Sequence, residues 1–159
     1  MTKDQMIDKL QNILKHERKH FEFYFQASVM VKGYERLFLK PLFEKEMAGE
    51  LEHMRQFADK IVALGGHPTV ETHHWGIYGG TTANTGYHLL KWAISMEREV
   101  LAEYHGLYDD AEKFAIINND MSIALLLEEN IEHTTADVEE MEKILEGLPN
   151  QEQDLRSQK

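Results

Sequence analysis

Three stretches of this chain carry a helical apolar stripe, and each stripe is interrupted by a glutamate. In the first, Ile7, Leu10, Leu14, Glu17, Phe21, Tyr24, Ser28 and Val31 follow at steps of three and four, the spacing of one helix face. The second reads Phe43, Met47, Glu50, Met54, Phe57, Ile61 and Leu64, and the third Leu90, Ala93, Glu97, Val100, Tyr104, Leu107 and Ala111. A bare carboxylate in an apolar interior costs several kcal/mol, so each must be paired, protonated or bound to a cation. One such residue is unremarkable; three in equivalent places point to chemistry.

Counting gives their depth. Glu17 lies 16 residues before Gly33 and Glu50 lies 17 after it, so a hairpin turning at Gly33 brings both to one height. Glu97 and His133 are likewise centred on position 115, just before the turn signal Asn118-Asn119-Asp120. Glu50-x-x-His53 adds an imidazole one turn on. Oxygen and imidazole donors without thiolate suit iron or manganese, and zinc less specifically. Carboxylates that bridge can hold two cations together and divide redox work between them.

The elements that must position these groups are four helices. The first two join at Gly33, and the second ends at Gly65-Gly66, with Pro41 near its start. Residues 66 to about 84 are rich in Gly, Thr and His and form a connection too long for a tight turn. The third and fourth helices meet at Asn118, and the fourth ends near Gly147 and Pro149. The expected fold is all-α: a four-helix bundle with one long crossover between helices 2 and 3. All 159 residues are read as a single domain, with a polar tail over about 150–159.

Composition narrows the partners. A net charge of -11 lacks the basic footprint of nucleic-acid binding. No stretch approaches a membrane span, and Met1-Thr2-Lys3-Asp4-Gln5 runs straight into a charged amphipathic segment. With no cysteine, thiolate sites and disulfides are excluded, and a soluble, cytoplasmic protein is expected. No glycine-rich phosphate loop or serine triad is visible. His67, His73, His74 and His88 are read as exposed residues of the crossover, and His16 and His20 as partly exposed helix positions. Glu139-Glu140-Met141-Glu142 reads as a solvated face. Tyr24 and Tyr104 carry hydroxyls that need partners when buried, and a ligating carboxylate would serve.

Over roughly residues 5 to 147 the pattern resembles the bacterioferritin and ferritin family of di-iron carboxylate proteins. The resemblance rests on the Glu17 to Tyr24 spacing, Glu50-Leu51-Glu52-His53 and Met96-Glu97-Arg98-Glu99-Val100. It implies two metal ions per subunit, iron first, with manganese or zinc as substitutes. Glu50 and Glu97 would be a bridging and a terminal ligand in some order, His53 a terminal nitrogen ligand and Glu17 a ligand from the first helix. Leu51 stands where the resemblance would put a haem-ligating methionine, so no haem is expected.

The fourth helix departs from the family pattern. Where a second Glu-x-x-His is usual, the chain reads Glu128-Glu129-Asn130-Ile131-Glu132-His133. Counting forward from Asp120 favours Glu129, and counting back from Met141 favours Asn130; a π-bulge would reconcile the two. The ligand set expected is Glu17, Glu50, His53, Glu97, Glu129 and His133. The resemblance implies a homo-oligomer that oxidises Fe(II) with oxygen or peroxide, for iron storage or detoxification. Rival readings are a di-manganese, catalase-like enzyme and an interaction protein with a structural metal.

Overall fold

The computed structural model describes residues 1–73 and 85–149. His74 and the tail from 150 to 159 lie outside the described residues. Four helices follow in order: α1 (Lys3–Met30), α2 (Arg36–Ala63), α3 (Gly86–Asn118) and α4 (Ser122–Glu146). No strand occurs among the described residues. α1 packs on α2 and α3 on α4, with α1 also lying along α3 and α2 touching α4. This is the all-α four-helix bundle that the stripes require, two hairpins joined by one long connection. No helix among the described residues is long and apolar enough to cross a membrane.

Local chemistry sets the helix ends. Thr2 opens α1 with a capping box: its hydroxyl accepts from the Gln5 amide at 3.2 Å, and the Gln5 side chain accepts from the Thr2 amide at 2.8 Å. At the other end Gly33 turns the chain at φ 77°, a left-handed conformation that glycine adopts without strain. Arg36 Nη1 then reaches back to the carbonyls of Val29 at 3.1 Å and Val31 at 2.7 Å, satisfying acceptors that the end of α1 leaves open. α3 stops on Asn119 at φ 52°, and Asp120 accepts from the Ser122 amide at 2.9 Å, which starts α4.

The interior divides into three layers. One apolar cluster holds Leu10, Leu14, Phe57, Ile61, Tyr104 and Leu127; another holds Phe23, Phe43, Leu90, Ala93, Val138 and Met141. Every helix places buried polar residues between the two: Glu17 and His20, Glu46 and Glu50, Glu97, and Asn130 and Thr134. The apolar layers supply the burial that holds the bundle together, about 1.5–3 kcal/mol per large side chain. They also fix the height and rotation of the polar layer.

Phe43 is fully buried in the second cluster. Phe43→Ala is expected to lower the unfolding free energy by about 3–5 kcal/mol in chemical denaturation. A loss below about 1 kcal/mol would show that this end of the bundle is not close-packed.

Candidate metal centre

Each of the first three helices sends a carboxylate into the polar layer. Glu17 of α1 is fully buried, and Glu50 of α2 and Glu97 of α3 are nearly so. His53, one turn after Glu50, is half-buried; its Nδ1 lies 3.2 Å from Glu50 Oε2 and 3.4 Å from Glu17 Oε2. On the far side of Glu50 sits His20, fully buried, its Nδ1 3.8 Å from Glu50 Oε1 and 3.6 Å from Glu97 Oε1. Two donor groups result, Glu17 with Glu50 and His53, and His20 with Glu50 and Glu97, each with ligand atoms within 4.8 Å of one another. Glu50 belongs to both.

Two tyrosines fasten the outer carboxylates. The Tyr24 hydroxyl donates to Glu97 Oε1 at 2.7 Å, and the Tyr104 hydroxyl donates to Glu17 Oε1. Burial raises both phenols well above their ordinary range, so they stay protonated and donate. The hydroxyls that were expected to need a carboxylate partner have one each.

Electrostatics show what the cluster lacks. Burial and the charge of Glu17 push the Glu50 carboxyl well above its usual range, and burial with Glu50 does the same to Glu97. Burial alone would raise Glu17 too, but the Glu50 and His53 side chains beside it hold it down to about 2. Burial would lower His53, yet the Glu17 and Glu50 carboxylates hold it up at about 11. Meanwhile both ring nitrogens of His20 and Glu17 Oε2 are buried without a hydrogen-bond partner. Orphaned donor atoms among carboxylates that cannot all ionise together fit a site completed by cations. The residues present suit a pair of divalent ions held by oxygen and imidazole.

The fourth helix behaves otherwise than expected. α4 is an uninterrupted α-helix with no π-bulge, so Asn130, Thr134, Val138 and Met141 face inward and Glu129 is exposed. Glu129 is therefore not brought to the cluster: at 100° per residue, the neighbour of an inward Asn130 points away. Asn130 turns its amide on α4 itself, donating to the Leu126 carbonyl at 2.8 Å. His133 is exposed and lines a cavity of about 260 Å³ with Lys45, Glu46, Glu50, His53 and Asp137. Burial and the Asp137 charge push Glu46 in that cavity up to about 8.

His20 and His16 correct a second expectation, because both are buried rather than partly exposed. The signal for His20 was legible: Glu17-x-x-His20 repeats the spacing of Glu50-x-x-His53. His67 is exposed, while His73 and His88 are half-buried.

A family model described as the ferritin-like domain matches residues 7–150. No curated protein matches the chain. Among solved structures, a ferritin-like, diiron-carboxylate protein from Bacillus anthracis is 26% identical, with a TM-score of 0.79, over 91% of this chain and 99% of that one. The bacterioferritin-related protein of Bacteroides fragilis, a dodecameric thioferritin, is 19% identical with a TM-score of 0.79, over 97% and 92%. The DPS protein of Vibrio cholerae is 15% identical with a TM-score of 0.75, over 90% of each chain. The last two show the shared fold.

A raised carboxyl stabilises the fold below its ordinary pKa of about 4.3, and that contribution is lost as pH rises through the raised value. Glu50 is such a group. In chelator, Glu50→Gln is therefore expected to unfold close to the parent at pH 5 and higher by about 2–4 °C or more at pH 9. A lower midpoint than the parent at both values would contradict the electrostatic reading.

Proposed function

The chain belongs to the ferritin-like domain family, and from that premise we propose that it oxidises Fe(II) at the Glu/His cluster between its helices, in iron storage or detoxification and protection against oxidants. The observation that carries this reading is Glu50, one carboxylate common to two donor groups. Glu17, Glu50 and His53 would hold one ion, and His20, Glu50 and Glu97 the other. Two Fe(II) ions held side by side supply two electrons to one molecule of oxygen or peroxide.

The protein's own groups do the rest. Three carboxylates leave two divalent cations one positive charge from neutrality, and oxidation of both adds two more. That excess charge would have to be met by hydroxide or oxide from water or by release of the ferric product. Tyr24 and Tyr104 hold Glu97 and Glu17 in place through their hydroxyls, so ligand geometry survives turnover. The cavity lined by Glu46, His133 and Asp137 opens the Glu50 and His53 side of the centre to solvent. Iron is the first expectation for this donor set, with manganese and zinc as substitutes.

A homo-oligomer accompanies this reading. The Bacteroides fragilis structure is dodecameric, and this chain exposes Val29, Tyr34, Leu37 and Phe38 at the α1–α2 end. Exposed apolar groups of that size near one helix turn fit a subunit interface.

A second reading is favoured by the donor count. With Glu129 outside, three glutamates and two imidazoles remain, a set that would also serve two manganese ions in peroxide disproportionation.

The test uses metal-free protein under anaerobic conditions, loaded with Fe(II) and then exposed to oxygen. Oxygen uptake is expected to saturate at two Fe(II) per chain, with Glu129→Ala equal to the parent. Glu50→Gln is expected to be about 10–100-fold slower or worse. Peroxide breakdown by the manganese-loaded form alone would favour the second reading. Parent-like stoichiometry and rate in Glu50→Gln would remove Glu50 from the centre.

A further inference from the structure

The two sides of the polar layer are built differently. Toward α4 the centre meets the cavity of about 260 Å³, whose lining includes the small residues Gly49 and Ala136. A Cβ added at Gly49 meets no atom within 4 Å, so the mouth is open there. The His53 side chain, which lines this cavity, is 15% exposed. On the opposite side of Glu50 the His20 side chain is 0% exposed.

A clasped seam and a strap across it close the His20 side. Between α1 and α3, Asn12 Nδ2 donates to Glu103 Oε2 at 2.7 Å, His16 Nε2 lies 3.4 Å from Glu103 Oε1, and Lys19 Nζ lies 3.4 Å from Glu99 Oε2. Residues 67–73 lie against α1 and are tied to it repeatedly. Gln11 donates to the His67 carbonyl at 2.6 Å and accepts from the Thr69 amide at 2.9 Å. Arg18 Nε donates to the Thr69 carbonyl at 3.0 Å, and Lys15 pairs with Glu71 at 3.2 Å. His73 Nε2 donates to Asn12 Oδ1 at 3.0 Å. The imidazoles then form a file: His73 lies on His16 with ring centroids 4.1 Å apart, and His16 meets His20 edge-on at 6.5 Å.

We propose that the 67–73 strap, through His73 and His16, positions and shields His20, so that the two ions of the centre exchange unequally. The ion on Glu17, Glu50 and His53 comes and goes through the cavity; the ion on His20, Glu50 and Glu97 is retained. This inference rests on the two-ion reading of the cluster. A divalent cation leaves only as water replaces its protein ligands, because a bare charge in an apolar interior is costly. Water reaches His53 from the cavity, but reaches His20 only when the strap or the seam opens. Local opening is infrequent where several hydrogen bonds must break together. A strap that merely stabilised the bundle would slow the loss of both ions alike. His73 and His16 are therefore positioning residues, acting on the centre through His20.

The test loads the full chain with Co(II), adds excess EDTA and follows the loss of the visible bands in time, with circular dichroism confirming the helices. The parent is expected to release one Co(II) per chain in a fast phase and one in a slow phase. His73→Ala and Gln11→Ala are expected to speed the slow phase by about 10–100-fold and to leave the fast phase unchanged. His73→Phe, which keeps a ring against His16, is expected to restore slow release. Gly49→Leu, which narrows the cavity mouth, is expected to slow the fast phase alone. Release of both ions from the parent in one phase would overturn the proposal, as would folded His73→Ala and Gln11→Ala variants that change neither phase or both equally. Fewer than two Co(II) bound by the parent would overturn the two-ion centre and this inference with it, whereas two bound and released alike would overturn this inference alone.

Discussion

Everything in this bundle is arranged around three carboxylates taken out of water. Glu17, Glu50 and Glu97 sit in one layer between two apolar clusters, where an ionised group without a counter-charge is unstable. The protein compensates in part. His53 carries positive charge against Glu17 and Glu50, and two tyrosine hydroxyls donate to Glu97 and Glu17. What remains is two carboxyls pushed upward in pKa and a buried histidine with neither nitrogen satisfied. Cations answer all three deficits together, which is why the layer reads as a binding site rather than a structural network.

The centre is lopsided. α1, α2 and α3 supply all members of the two donor groups, while α4 presents Asn130 and Thr134. A neutral α4 leaves the cluster with three carboxyl groups, and His20 of α1 stands as the second nitrogen donor. The side facing α4 and the middle of α2 is also where the cavity with His133 and Asp137 lies. One wall of the layer is thus built of helices that hold the centre, and the other gives access to it.

How much of this was legible in the sequence follows from what each signal depends on. Glu17, Glu50 and Glu97 announced themselves because a charge interrupting an apolar stripe is a local fact. Their shared height needed only a count about Gly33 and position 115. Rotation about the helix axis is harder, since a single residue turns a side chain by about 100°. Glu129 and Asn130 differ by that one step, and only the packing of α4 through Thr134, Val138 and Met141 chooses between them. His20 was misplaced for a related reason: the α1 face turned toward α3 is wider than one stripe. The juxtaposition of His16 and His73, 57 positions apart, depends on the course of the crossover, which no periodicity encodes.

The central claim is that one carboxylate, Glu50, joins two cations held by α1, α2 and α3. Anomalous diffraction from crystals of the Co(II)-loaded full chain tests it most directly. Two peaks are expected in the polar layer, both ligated by Glu50, one completed by Glu17 and His53 and the other by His20 and Glu97. A peak ligated by Glu129, or a single peak that Glu50 does not touch, would contradict it.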